Sequence, residues 1–220
     1  PRSFVELLIS SVDRHTRSAQ ARVVQWLATQ GSGVRPMHFE ELCVGSWFST
    51  WADLNQTAGG PAFRQVICRG KQIFGVGELL RYALRTSEHT APALGLAFVE
   101  DALEWFAPSH QRRLAKAEAV RAVLEAALGD YGVFVMPILP RHACRHDELL
   151  LRVFDSSFTC IWNAMGFPAT AVPLGLDDES LPVGVQIVSS RGNDALTLGL
   201  AVALEEAGLA QCIPPSSSGP

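Results

Sequence analysis

Three side chains that can ligate a metal alternate at His142, Cys144 and His146. In an extended loop, alternate residues point the same way. Asp147 stands beside them as a fourth ligand, so a tetrahedral zinc site is one chemistry this spacing allows. No second ligand pair is visible elsewhere in the chain, and the preferred reading is a polar loop following a strand.

Adjacent serines occur at Ser10-Ser11, Ser156-Ser157 and Ser189-Ser190. A nucleophilic serine needs a base within hydrogen-bond reach and an oxyanion hole. None of these pairs stands in a G-x-S-x-G elbow or a glycine-rich turn, so they read as caps and loop residues. The chain has only two lysines, Lys71 and Lys116, and Lys116 falls on the outer face of a helix, so no lysine base is evident. Gly59-Gly60 is too little to cradle a phosphate. Gln186 lies in the middle of an apolar run. A buried carboxamide needs a partner, so Gln186 is expected to bond a neighbouring strand or loop rather than to act in catalysis.

The elements that would carry these residues follow from periodicity. Ser3 to Ile9 has the look of a strand. Asp13 is a candidate N-cap for a helix to about Gln30, with Ala19, Val23, Trp26 and Leu27 inward and Gly31 at its end. An extended piece, VRPMHF, precedes a helical stretch from Glu40 to Leu54, and Thr57 to Phe63 is a loop. Ser109 caps a long helix whose apolar stripe is Leu114, Ala117, Val120, Val123, Leu124, Ala127 and Leu128, closed by Gly129. Gly132 to Met136 is a short apolar run, the pattern of a strand covered on both faces. The loop after it lies at the carboxyl end of that strand, where ligands sit in open α/β sheets.

Asp155 is placed to cap the next helix, with Phe158, Ile161, Trp162 and Met165 toward the core and Gly166 at its end. Ala169 to Leu174 and Leu181 to Val188 are strands. The turn GLDDES between them is too short for a parallel crossover, so they form an antiparallel hairpin. Pro173 and Pro182 fall near its turn end, where a missing N–H is tolerated. Val183, Val185 and Ile187 face one way; Gly184, Gln186 and Val188 face the other. Asn193 or Asp194 caps a last helix with Leu196, Leu200, Leu204 and Ala207 inward and Gly208 at its end. The tail from 211, ending IPPSSSGP, is expected to be disordered.

The 220 residues are enough for one good-sized core or two small ones. Apolar residues make up 48% and charged residues 18%, which excludes a disordered chain. A net charge of −4 supplies no basic face for nucleic acid. The cysteines are Cys43, Cys68, Cys144, Cys160 and Cys212, an odd number without C-x-x-C spacing. They read as reduced thiols of a cytosolic-type compartment. No apolar run approaches the ~20 residues of a membrane span, and no signal peptide pattern is present. The chain opens on Pro1 rather than methionine, and is expected to be a fragment or a processed product. Strands alternating with helices argue for a mixed α/β sheet covered by helices.

The combined run Asn163, Gly166 and Pro168, then Val172 to Gly175 (VPLG), then Leu181 to Gln186 (LPVGVQ), then Asn193-Asp194 and a leucine-rich helix ending Leu204-Glu205, resembles the carboxyl end of amidase-signature enzymes. Gly129 to Pro140 (GDYGVFVMPILP), with its preceding helix, is similar to the same family. The likeness is closest to the fatty-acid amide hydrolases, in their second branch. It is clear from about Ser109 to Gly208 and weaker before. The resemblance implies an α/β fold: part of the amidase-signature mixed-sheet α/β/α sandwich, with helices on both faces, over residues 1–210. It also implies amide hydrolysis without a cofactor, through a serine, a second serine that relays a proton, and a lysine base. The nucleophile lies near a glycine- and serine-rich signature, with the lysine well upstream of it, and neither has a counterpart in this chain. No catalytic residue carries over, and the chain alone is expected to be inactive.

What the resemblance does place here is a wall of the acyl pocket: the Met136-Pro137-Ile138 bend and the helix bearing Ser156 and Cys160. Those two are i, i+4 neighbours whose small size leaves room for a substrate chain. It also suggests a membrane-touching cap in Val76 to Phe106, with Leu80, Phe98, Trp105 and Phe106 as anchors and Lys71, Arg81 and Arg85 among them. Apolar helical stripes are ordinarily core, which is the competing reading. The implied substrate is a lipid amide, with a membrane surface and a homodimer as candidate partners and no nucleic acid. The implied location is cytoplasmic or peripheral on intracellular membranes. The alternative is an α/β binding or scaffold module without chemistry.

Overall fold

The computed structural model describes residues 10–38, 41–43, 47, 50, 51, 53, 54, 75–90, 94, 110–141, 143, 152 and 154–212. The expected strand at Ser3 to Ile9, the loop at Thr57 to Phe63 and the tail beyond Cys212 lie outside them. The described elements are α1 (Arg14–Thr29), α2 (Gly75–Ala83), α3 (His110–Leu128), β1 (Val133–Pro137), α4 (Ser157–Met165), β2 (Ala169–Leu176), β3 (Pro182–Ser189) and α5 (Asp194–Glu206). Residues 47, 50, 51, 53 and 54 are helical as well.

Among the described residues the sheet has the order β1-β3-β2, and both pairs are antiparallel. β2 and β3 make the expected hairpin, with Val172 opposite Val185 and Pro173 opposite Gly184. The pairing slips between Pro173 and Leu176, where Gly175 takes a φ of 95°. Asp177 organises the turn: its Oδ1 accepts from the backbone N–H groups of Glu179 and Leu181, both at 2.9 Å. Arg14 and His15, at the start of α1, reach Asp178 in the same turn at 2.9 Å each.

The alternation along β3 divides the interior in two. Val183, Val185 and Ile187 pack with Val172, Leu174, Ala19 and Val23 of α1, and Leu204 of α5. Val188 faces the other way, into a core of Val120, Leu124 and Leu128 from α3, and Phe158, Ile161, Trp162 and Met165 from α4. Helices therefore cover both faces of the sheet, as expected. β1 contributes to both sides through Val133 and Val135 on one and Phe134 and Met136 on the other. Its neighbour is antiparallel, however, and its first three residues are only half-buried.

Local signals set the helix ends. Asp13 caps α1 by accepting from Thr16 N at 2.7 Å. Gly166 ends α4 in the left-handed region, at φ 73°. In α3 the buried line begins at Ala117 and runs through Val120, Leu124 and Leu128. Leu114, expected inward, precedes that line and is 42% exposed, and Val123 lies one residue off it and is exposed too. In α5 Leu204 is fully buried, but Ala207 is the C-cap and exposed. Asn193 holds the N-cap position without a capping bond; its Nδ2 donates to Asp130 O and Ser190 Oγ, both at 2.8 Å. Gln211, expected in the tail, donates its backbone N–H to Pro173 O at 3.0 Å.

Candidate functional site

The carboxyl end of β1 is fixed by three side-chain or backbone bonds from other elements. Gln20 of α1 donates to Val135 O at 2.8 Å, and Gln186 of β3 donates to Pro137 O at 2.8 Å. Asp13 N donates to Pro140 O at 2.9 Å. Between these anchors the chain leaves the sheet, because Pro137 has no N–H to extend the ladder. Met136 and Pro137 are buried and Ile138 is half-buried. Met136 packs among Phe158, Ile161 and Trp162, so its side chain belongs to the core beneath the bend.

Helix α4 is entered through a turn at Phe154, Asp155 and Ser156. The expectation that Asp155 caps α4 does not hold. Its carboxylate is buried and accepts from Ser10 N at 2.7 Å, while Ser156 occupies the N-cap position without a capping side-chain bond. The reason is position: Asp155 lies one residue too early, inside the turn. Ser157 Oγ instead donates to Phe154 O at 2.6 Å. Ser156 is half-buried and its carbonyl accepts from Thr159 Oγ1 at 3.1 Å. Cys160 is buried, with Sγ 3.9 Å from Ser157 O, and burial pushes its thiol up to about 12. It is a small neutral surface and not a thiolate.

Gln186 joins the two parts. Besides Pro137 O, its Nε2 donates to Phe158 O at 2.7 Å. The expected role, a hydrogen bond to a neighbouring element, is the one found. The structure thus brings the Pro137 bend and the first turn of α4 onto one side chain. The Ser10 bond to Asp155 was missed by sequence reasoning, and no local signal could have found a partner 145 residues away.

Ser157 and Ser189 donate to the carbonyls of Phe154 and Asn193, and Ser190 accepts from Asn193. Lys116 is exposed on α3. Among the described residues no three His, Cys, Asp or Glu side chains gather as a metal site. His142, Cys144, His146 and Lys71 lie outside the described residues.

On α2, Leu80 is 62% exposed and Tyr82 is exposed as well, and Leu84, just past its end, is 73% exposed. Glu78 beneath them is buried, accepts from Ser87 Oγ at 2.7 Å and lies 3.6 Å from Arg81. Leu94 is buried; Phe98, Trp105 and Phe106 lie outside the described residues. No described helix is long and apolar enough to cross a membrane.

Residues 10–198 match the amidase family. Fatty-acid amide hydrolase 2 of Homo sapiens is 33% identical over 206 residues, covering 90% of this chain and 38% of that protein. Fatty-acid amide hydrolase 2-B of Danio rerio is 36% identical over 204 residues, covering 91% of this chain and again 38% of the relative. The chain thus spans about two fifths of the length of these relatives. A solved glutamyl-tRNA(Gln) amidotransferase chain from Thermotoga maritima superposes with a TM-score of 0.60 at 18% identity, over 90% of this chain and 40% of its own length, which is a likeness of fold.

Proposed function

The chain belongs to the amidase family, and on that premise we propose that it is the carboxyl-terminal part of a serine amidase that hydrolyses fatty-acid amides. Its contribution is scaffold and acyl-pocket wall. The observation that carries the reading is the coverage of nine tenths of this chain by fatty-acid amide hydrolase 2 relatives. The bonds would be broken by groups outside this chain: a serine attacks the amide carbonyl, a second serine passes the proton to the departing amine, and a lysine serves as base. The rigid seat of Pro137 and α4 on Gln186 supports a wall that keeps its shape as an acyl chain enters. Buried, neutral Cys160 and half-buried Ser156 and Ile138 suit an apolar chain. The exposed Leu80, Tyr82 and Leu84 beside Arg81 and Arg85 support a peripheral contact of α2 with a membrane that holds the substrate.

Two measurements test this. In the full-length protein a fluorophosphonate probe labels a serine outside these 220 residues; labelling of any serine within them overturns the assignment. Cys160→Trp lowers kcat/KM for long-chain amides by ~100-fold and for short ones far less, because a large ring would fill the chain's path. Equal losses at all chain lengths remove Cys160 from the pocket.

A further inference from the structure

Gln186 lies on the sheet face that carries α3 and α4, opposite Met136 on one side and Ala171 on the other. It is 4% exposed. Both groups facing its carboxamide nitrogen are backbone carbonyls, which only accept, so the nitrogen and not the oxygen must face them. One N–H points to Pro137 O at 2.8 Å and the other to Phe158 O at 2.7 Å. The two N–H directions of a planar amide diverge at a fixed angle. A single nitrogen bound to both acceptors therefore holds them at one separation.

The Phe158 carbonyl is also pinned from its own helix, since Trp162 Nε1 donates to it at 2.8 Å. Met136 and Phe158 share the apolar core directly beside the bonds. A polar strut thus stands over a packed contact, and both ends of the strut are backbone. Ile138 follows one end in sequence, and Ser156 and Cys160 flank the other.

We infer that Gln186 is a positioning residue: it sets the spacing between the Pro137–Ile138 bend and the first turn of α4. On the acyl-pocket reading, on which this consequence rests, it thereby sets the width available to a substrate chain. No step of catalysis passes through it.

The test is Gln186→Met in the full-length protein, which keeps side-chain length and removes both donors. Hydrogen exchange is followed by mass spectrometry on peptides from α4 and the end of β1, with peptides from α1 and α5 as references. A variant of the opposite core, Leu204→Ala, serves as a control for general loss of stability. Exchange in α4 and at the end of β1 should rise about tenfold in Gln186→Met, the factor that loss of about 1.4 kcal/mol of local closing would produce, with the references unchanged. Leu204→Ala should not reproduce that pattern. A uniform rise in all peptides, or no rise, overturns the positioning role. The ratio of kcat/KM for long and short amides is then measured on the same variant. A local rise with a changed ratio supports both the strut and the pocket. A local rise with an unchanged ratio keeps the strut and removes the acyl-pocket reading.

Discussion

The rings of Trp47 and Trp162 meet edge to face, with centroids 4.9 Å apart and planes at 69°. Both are almost wholly buried, and both indole N–H groups donate at 2.8 Å, Trp47 to Leu42 O and Trp162 to Phe158 O. Phe158, Phe134 and Phe167 complete the aromatic group. This contact ties the helical residues around 47–54 to α4, and so steadies the helix that forms the candidate wall. Trp47→Ala should cost about 3–5 kcal/mol, since it removes a large buried ring and leaves a cavity. Trp47→Phe, which keeps an aromatic edge but loses the N–H bond, should cost distinctly less. Denaturant titration of the full-length protein reads both. Equal losses would show that the ring contact contributes nothing beyond the hydrogen bond.

A second prediction concerns two glycines with opposite surroundings. A Cβ on Gly184 would stand 2.7 Å from Val172 O across the hairpin, closer than side-chain carbons are found. Gly184→Ala should force β2 and β3 apart and cost about 1–3 kcal/mol. Gly199, within α5, has nothing within 4 Å of the same position. Gly199→Ala should gain up to about 1 kcal/mol, because alanine is the better helix former. Thermal midpoints that move in the same direction for both variants would contradict the hairpin geometry.

Cys160 supplies a pH prediction. Burial raises its thiol from the ordinary 9.0 to about 12. Between those values the unfolded chain has released a proton that the folded protein keeps. Its contribution to stability is therefore whole below pH 9.0 and is lost as pH rises toward about 12. Cys160→Ser removes the titration. The stability of the unsubstituted protein should fall more steeply with pH above 9.0 than that of Cys160→Ser, as measured by urea midpoints. Parallel slopes would mean that the thiol is open to solvent.

The surface of α2 is tested on liposomes. With any other membrane anchor removed, the full-length protein should sediment with vesicles, and Leu80→Glu with Phe98→Glu should weaken that binding while circular dichroism stays unchanged. The high exposure of Leu80 is the reason its replacement should leave the fold intact. Unfolding of the double variant would return these residues to the core.

Much of the architecture was legible because it is written at short range. A period of two along Val183 to Val188 assigns side chains to two faces before any partner is known, and the two cores follow that division. The short GLDDES turn allows only an antiparallel pair. Asp13 and Gly166 act within one helical turn of where they stand. The linked motifs from Asn163 to Glu205 were enough to point to the family, since together they describe one continuous piece of fold.

The tertiary structure decided what depends on distant neighbours. Nothing near Gln186 names Pro137, 49 residues away, or Phe158, 28 residues away, as its acceptors; packing of β1 and α4 on the same sheet face brings them there. Asp155 has the residue type of a cap, yet the approach of Ser10 and its place one residue before the N-cap give it another task. Leu114 and Leu80 are apolar in helical patterns and still face outward, because hydrophobicity states a preference for burial but not which surface arrives to satisfy it. Periodicity is a property of a few consecutive residues. A partner is chosen only when whole elements dock, and that choice is made by the shape and volume of the assembled core.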